Sequence, residues 1–159
     1  MLDLAQFREN VVRPVLMELQ MHSDAAEALV LGTAMQESGL QWLRQLGGGP
    51  ALGLFQMEPA THDDIWNNYL AFRPEIAARV ERFLVPGRDR ADQLVWNLAY
   101  ATAMCRIHYR RVQAALPAAT DVAGLAGYWK AHYNTAGGAG SEAEFAANFA
   151  RGRIGSAIV

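Results

Sequence analysis

The chain has 159 residues, 52% of them hydrophobic and 19% charged, and fourteen basic against sixteen acidic residues give a formal net charge of −2. That length and apolar content can bury one substantial core without requiring two domains, so a single domain over 1–159 is expected. The slightly acidic balance argues against nucleic acid or an anionic membrane as a partner of the whole molecule, and the lone Cys105 rules out an internal disulfide and a cysteine-cluster zinc site.

Apolar residues recur at helical spacing along nearly the whole chain, and alternating β-branched runs are absent. The expected fold is therefore all-α or nearly so. The spacing predicts a first helix over 4–20, kinked or restarted at Pro14, and a second over 24–38, capped by Ser23 and stopped by Gly39. A loop centred on Gly47-Gly48-Gly49-Pro50 follows, then a helix after Thr61 and another after Pro74, until Pro86-Gly87 breaks the chain. A long helix is expected over 89–116, ended by Pro117. Its stripe of Leu94, Val95, Leu98, Thr102, Cys105 and Ile107 makes it the expected central element. Asp121 starts a helix leading to Tyr133, and Ser141 with Glu144 forms a capping pattern for a last helix reaching 151. A frayed tail over 152–159 is expected.

The segment most suggestive of chemistry is Thr33-Ala-Met-Gln-Glu37-Ser38-Gly39. Residues three, four and seven before Glu37 are Ala34, Thr33 and Val30, so the carboxylate shares a face with small and apolar side chains and is expected to point inward. Desolvation and the negative end of the helix dipole would both raise its pKa from ~4.3 towards 6, leaving a proton to donate near neutral pH. The alternative is a carboxylate that merely marks the hydrophilic end of its helix.

Metal and nucleotide chemistry find little support. His22, His62, His108 and His132 lie far apart and form no paired ligand motif, so no metal and no cofactor are expected. The triple glycine lacks the Lys-Ser/Thr ending and the preceding strand of a phosphate loop, and reads better as a cleft rim. Cys105 reads as a small core filler, His132 as an ordinary surface histidine, and Arg106, His108, Arg110 and Arg111 as the solvated side of the long helix.

Three segments in order, Glu37-Ser38-Gly39, then Gly53-Leu-Phe55-Gln56-Met-Glu58-Pro59 with Thr61, then Ala131-His-Tyr133-Asn134-Thr135-Ala-Gly137, resemble the motif series of soluble lytic transglycosylases and goose-type lysozymes. The resemblance spans residues 29–138. It implies a lysozyme-like helical domain with a substrate cleft that cleaves the MurNAc-β-1,4-GlcNAc bond of peptidoglycan glycan strands. Carried over, Glu37 is the general acid and Ser38 a polar neighbour orienting it or the substrate. Gln56 hydrogen-bonds a sugar, Gly53 lets backbone approach the ligand, and Phe55 offers a platform to a sugar ring. Tyr133 donates to Glu37 and Asn134 holds the loop.

The chain departs from the transglycosylase pattern at Glu58, where those enzymes usually carry an apolar residue and goose-type lysozymes an acidic one. A transglycosylase needs one carboxyl, because the sugar's own hydroxyl attacks; an inverting muramidase needs a second, with room for a water between. Glu58 is the candidate for that second group, with Asp63 and Asp64 behind it. The spacing of Thr61 and Asp64 reads instead as a helix start, which makes both aspartates structural. A non-catalytic lysozyme-like virion or wall-binding protein is the rival reading. The first thirty residues carry no signal-peptide pattern and no run of about eighteen apolar residues spans a membrane. Delivery to the wall by a bacteriophage holin, a virion or a secretion machine is therefore expected, most simply for a phage-encoded protein.

Overall fold

The computed structural model describes residues 1–134, 138–152 and 154. Among these the chain is mostly helical, with no sheet; the only β-type pairings are isolated antiparallel bridges joining Arg44 to Leu52 and Leu52 to Met57. Among the described residues no helix is long and apolar enough to cross a membrane. Thr135 and Gly137 of the third motif, and the tail beyond Gly152 apart from Ile154, lie outside the described residues.

The first helical segment is interrupted as Pro14 demands. Helix α1 (Leu4–Phe7) opens into a π-helical turn, Arg8–Val12, before α2 (Arg13–Glu18). Proline has no N–H to give the carbonyl four residues back and its ring crowds that carbonyl, so the backbone widens one turn before it.

Helix α3 (Asp24–Ser38) follows its sequence signals at both ends. The Ser23 hydroxyl accepts from the Ala26 N–H, and Gly39 takes the left-handed conformation, φ 58°, that ends the helix. Its sequence is apolar nearly all round, and every residue from Ala26 to Met35 is buried. One of these, Glu27, is 1% exposed and held by Arg8, by Arg13 at 3.1 Å and by His22 at 2.9 Å. This first-turn carboxylate is thus a buried clasp between α3 and the N-terminal segment.

Helix α4 (Pro59–Asn68) begins at Pro59, with Glu58 at its cap, rather than after Thr61. Proline's fixed φ and missing N–H suit the first turn, which outweighs the Thr61–Asp64 pattern. Helix α5 (Pro74–Glu81) starts in the same way after a short 3₁₀ turn, Leu70–Phe72.

The continuous helix expected over 89–116 does not form. It divides into α6 (Gln93–Trp96) and α7 (Leu98–Arg110), broken at Asn97. The Asn97 side chain accepts from the Tyr100 N–H as a cap, and its amide donates to the Phe83 carbonyl at 2.7 Å. Local capping and the tie to the preceding loop override a hydrophobic stripe that runs unbroken in sequence. The chain also leaves helix at Arg111, well before Pro117. Helix α7 is buried along most of its length and touches α2, α3, α4, α5 and α6. Arg106 lies buried at 9% exposure with its Nε donating to the Met21 carbonyl, and His108 is largely buried; neither belongs to a solvated face.

Helix α8 (Val122–Trp129), capped by Asp121, passes into a second π turn, Lys130–Asn134. Helix α9 (Glu142–Arg151) starts with the expected capping box of Ser141 and Glu144 and packs on α3 and α8.

Candidate functional site

Glu37 lies in the last turn of α3, where the helix reaches the wall of a cleft of about 650 Å³. Several stretches of chain line it. Gln36 and Glu37 form one, and Trp42, Gln45 and Leu46 of the following loop form its rim. Gln56, Glu58 and Thr61 bring in the second motif, while His108 of α7, Trp129 and the turn His132–Tyr133–Asn134 close the far side with Gly138 to Gly140.

The carboxyl is held by a residue the sequence reading missed. Trp129 Nε1 donates to Glu37 Oε1 at 2.8 Å, and among the described residues Oε2 has no protein partner. The indole is fully buried, stacks on Phe145 at 5.4 Å between centroids, and leaves no room for a side chain at Gly140, where a Cβ would come within 2.6 Å of the ring. Burial pushes the Glu37 carboxyl up to about 7, against the downward pull of the Trp129 hydrogen bond. No lysine or arginine lines the cleft among the described residues, so no cation there favours the anion. Trp129 stands four positions before the expected tyrosine, on the same stretch of helix, and that spacing was the available signal.

Tyr133 does not donate to Glu37. Its hydroxyl donates to the Phe55 carbonyl at 2.7 Å, tying the third motif to the backbone of the second, and its ring meets His108 edge-on at 4.9 Å. Asn134 lines the cleft and accepts from Lys130 Nζ at 2.7 Å; the same ammonium donates to the carbonyls of Gly138 and Gly140 at 2.9 and 2.7 Å. All three donors of the chain's one lysine thus hold the 138–140 wall, with Asn134 as one of its anchors.

The second motif divides between cleft and core. Gln56 lines the cleft in a left-handed backbone conformation, φ 46°, and its Nε2 donates to the Gly53 carbonyl at 2.8 Å. Glu58 lines the cleft, is exposed, and makes no side-chain cap bond to α4. Gly53 and Phe55 take no part in the lining. Gly53, at φ 73°, lies against α6 rather than a ligand: a Cβ would sit 2.0 Å from the Leu94 carbonyl oxygen. Phe55 is 1% exposed and packs on Phe7 in the core, which leaves no face for a sugar. Ser38 is likewise buried, its hydroxyl donating to the Ala34 carbonyl and accepting from the Leu40 N–H to finish α3.

Asp63 and Asp64 are exposed on α4 and do not reach the cleft; Asp64 accepts from Arg111 at 2.6 Å. Arg111 also donates to His108 Nδ1 at 2.6 Å. Since a guanidinium can only donate, Nδ1 must be the accepting nitrogen. Burial, and then the Arg111 charge, push the His108 pKa down to about 4, so a neutral imidazole faces the cleft at pH 7. His132 also lines the cleft, packed edge-on against Tyr128 at 4.6 Å. Cys105 is fully buried and its thiol is pushed well up, first by burial.

One cleft thus holds a carboxyl that stays largely protonated until the pH nears 7 and a second, exposed glutamate, with Trp42, His108, Trp129, His132 and Tyr133 also in its lining. Comparison of the chain with protein-family models, with curated proteins and with solved structures returns no match.

Proposed function

We propose that this protein cleaves peptidoglycan glycan strands at the MurNAc-β-1,4-GlcNAc bond, in the manner of a lytic transglycosylase, with Glu37 as acid and then base. The observation that carries the reading is the state of Glu37: a carboxyl oriented by one indole N–H, lifted to about 7 by burial, and opening on a cleft large enough for sugar rings. Because Oε1 accepts from Trp129, the transferable proton sits on Oε2. In the first step it passes to the glycosidic oxygen as the C1–O bond breaks and the electron pair leaves with that oxygen. The carboxylate then takes the proton of the muramyl C6 hydroxyl while its oxygen bonds to C1. An anhydro end results and the acid is restored, with no cofactor used.

Glu58 favours a second reading, since it lines the same cleft and spends no hydrogen bond on its helix. As a base on a water molecule, ~6.5–9.5 Å from the acid in enzymes of that type, it would make the protein an inverting muramidase. The resemblance of the three motifs supports either chemistry.

Digestion of purified peptidoglycan by the wild type, Glu37→Gln and Glu58→Gln, with mass spectrometry of the soluble fragments, tests both. Anhydro-ended fragments that vanish only in Glu37→Gln support the transglycosylase; reducing ends lost in both variants support the muramidase. A folded wild type that releases no fragments from several wall types would overturn the proposal in favour of a binding or structural role.

A further inference from the structure

The loop between α3 and the second motif carries Trp42, Leu43 and Leu46 at 46, 43 and 64% exposure, three large apolar side chains within five residues. Such a cluster calls for an explanation where scattered exposed residues do not. Trp42 and Leu46 line the cleft; Phe72, Val85, Trp96 and Met17, also exposed, do not.

The rim is built rather than loose. The Gln45 N–H donates to the Ala51 carbonyl and its side-chain Oε1 accepts from the Ala51 N–H, both at 3.1 Å, while the Gly53 N–H donates to the Leu43 carbonyl at 2.9 Å. Gly49 packs so closely on the Gln45 amide that a Cβ would lie 2.0 Å from its oxygen. These bonds hold the backbone on either side of Trp42 and Leu46.

Two amides inside the cleft are each half engaged. Gln36 Oε1 accepts from Asn148 while both N–H groups of its amide have no protein partner among the described residues; Gln56 gives one of its two N–H groups to Gly53, and its oxygen has no protein partner among them. Amide donors and a carbonyl acceptor therefore remain on the cleft wall beside an apolar lip. A membrane or an apolar protein face would cover the lip and waste the amides. A pyranose ring satisfies both, because its axial C–H groups form an apolar face while hydroxyl and acetamido groups ring its edge.

Resting on the glycan-cleaving reading, we infer that Trp42, backed by Leu46, is the stacking platform for an N-acetylhexosamine ring whose polar edge is read by Gln36 and Gln56. The platform contributes to binding and not to proton transfer, so its loss falls on KM rather than kcat.

Calorimetric titration of chitotetraose, the N-acetylglucosamine tetramer, into Glu37→Gln protein tests this, alongside KM and kcat on peptidoglycan in the active background. Trp42→Ala is expected to weaken chitotetraose binding and raise KM by about tenfold, the scale of one aromatic contact, with kcat little changed. Trp42→Phe should recover most of the loss, and Trp96→Ala, an exposed tryptophan outside the cleft, should behave as the parent. Unchanged binding and KM in a Trp42→Ala protein that melts like its parent, while Glu37→Gln still abolishes cleavage, would overturn this inference and leave the function standing. A wild type that neither binds chitotetraose nor cleaves peptidoglycan would overturn both.

Discussion

Replacing Glu37 by glutamine should stabilise the protein, and by an amount that grows with pH. The folded carboxyl titrates at about 7 against an ordinary value of 4.5. A carboxyl whose pKa is raised in the folded state adds stability that is fully present below 4.5, falls as pH climbs, and is gone above about 7, while the rest of the folding free energy is untouched. The gap between 4.5 and about 7 corresponds to roughly 3–4 kcal/mol, which partial solvent access reduces to about 2–3 kcal/mol. Glutamine carries no such cost, and its amide oxygen can still accept from the Trp129 N–H. For a chain of this length each kcal/mol moves the melting temperature by about 2–4 °C, giving an expected gain of about 5–10 °C at pH 8. Near pH 4, where both forms are neutral, the gain should vanish. Thermal unfolding of both proteins at pH 4 and pH 8, followed by far-UV circular dichroism, measures it, and the other titrating groups cancel in the difference. An equal shift at both pH values, or a variant less stable at pH 8, would refute the claim that the fold holds Glu37 protonated.

The remaining expectations concern the residues around that carboxyl. Trp129→Phe keeps the stacked ring and removes the donor, so the Glu37 pKa should rise further, by about one unit for one hydrogen bond; the alkaline limb of the pH–rate profile should move up with it. Gly53→Ala places a methyl against the Leu94 carbonyl in a left-handed backbone, and should cost about 3 kcal/mol in urea denaturation. Glu27→Gln removes the buried one of the two carboxylates that Arg8 and Arg13 share, leaving them only the exposed Glu9, and should cost about 3 kcal/mol, again read by urea denaturation at pH 7.

Helices with strong local punctuation were legible in the sequence. Ser23 and Gly39 bounded α3, and the Ser141–Glu144 pair started α9, because a cap is a contact between near neighbours. Hydrophobic periodicity was less informative where tertiary ties intervene, as at Asn97, whose bond to the Phe83 carbonyl breaks a stripe that continues on either side. The site divides along the same line. Glu37 and Gln56 line one cleft with Tyr133 and Asn134, and their sequence order gave no distances. Which side chain touches which was not legible: the partner of Glu37 is an indole from α8, Tyr133 reaches backbone instead, and Gly53 is a glycine for the sake of α6. Glu27 shows the same limit, since only the folded chain brings Arg8, Arg13 and His22 around it.

The most direct test of the account is the initial rate of glycan release from purified peptidoglycan, measured from pH 4 to pH 9 for the wild type and Glu37→Gln. Activity that falls as pH rises through about 7, with the variant at background throughout, is the predicted result. A Glu37→Gln protein that releases glycan at the wild-type rate would contradict it.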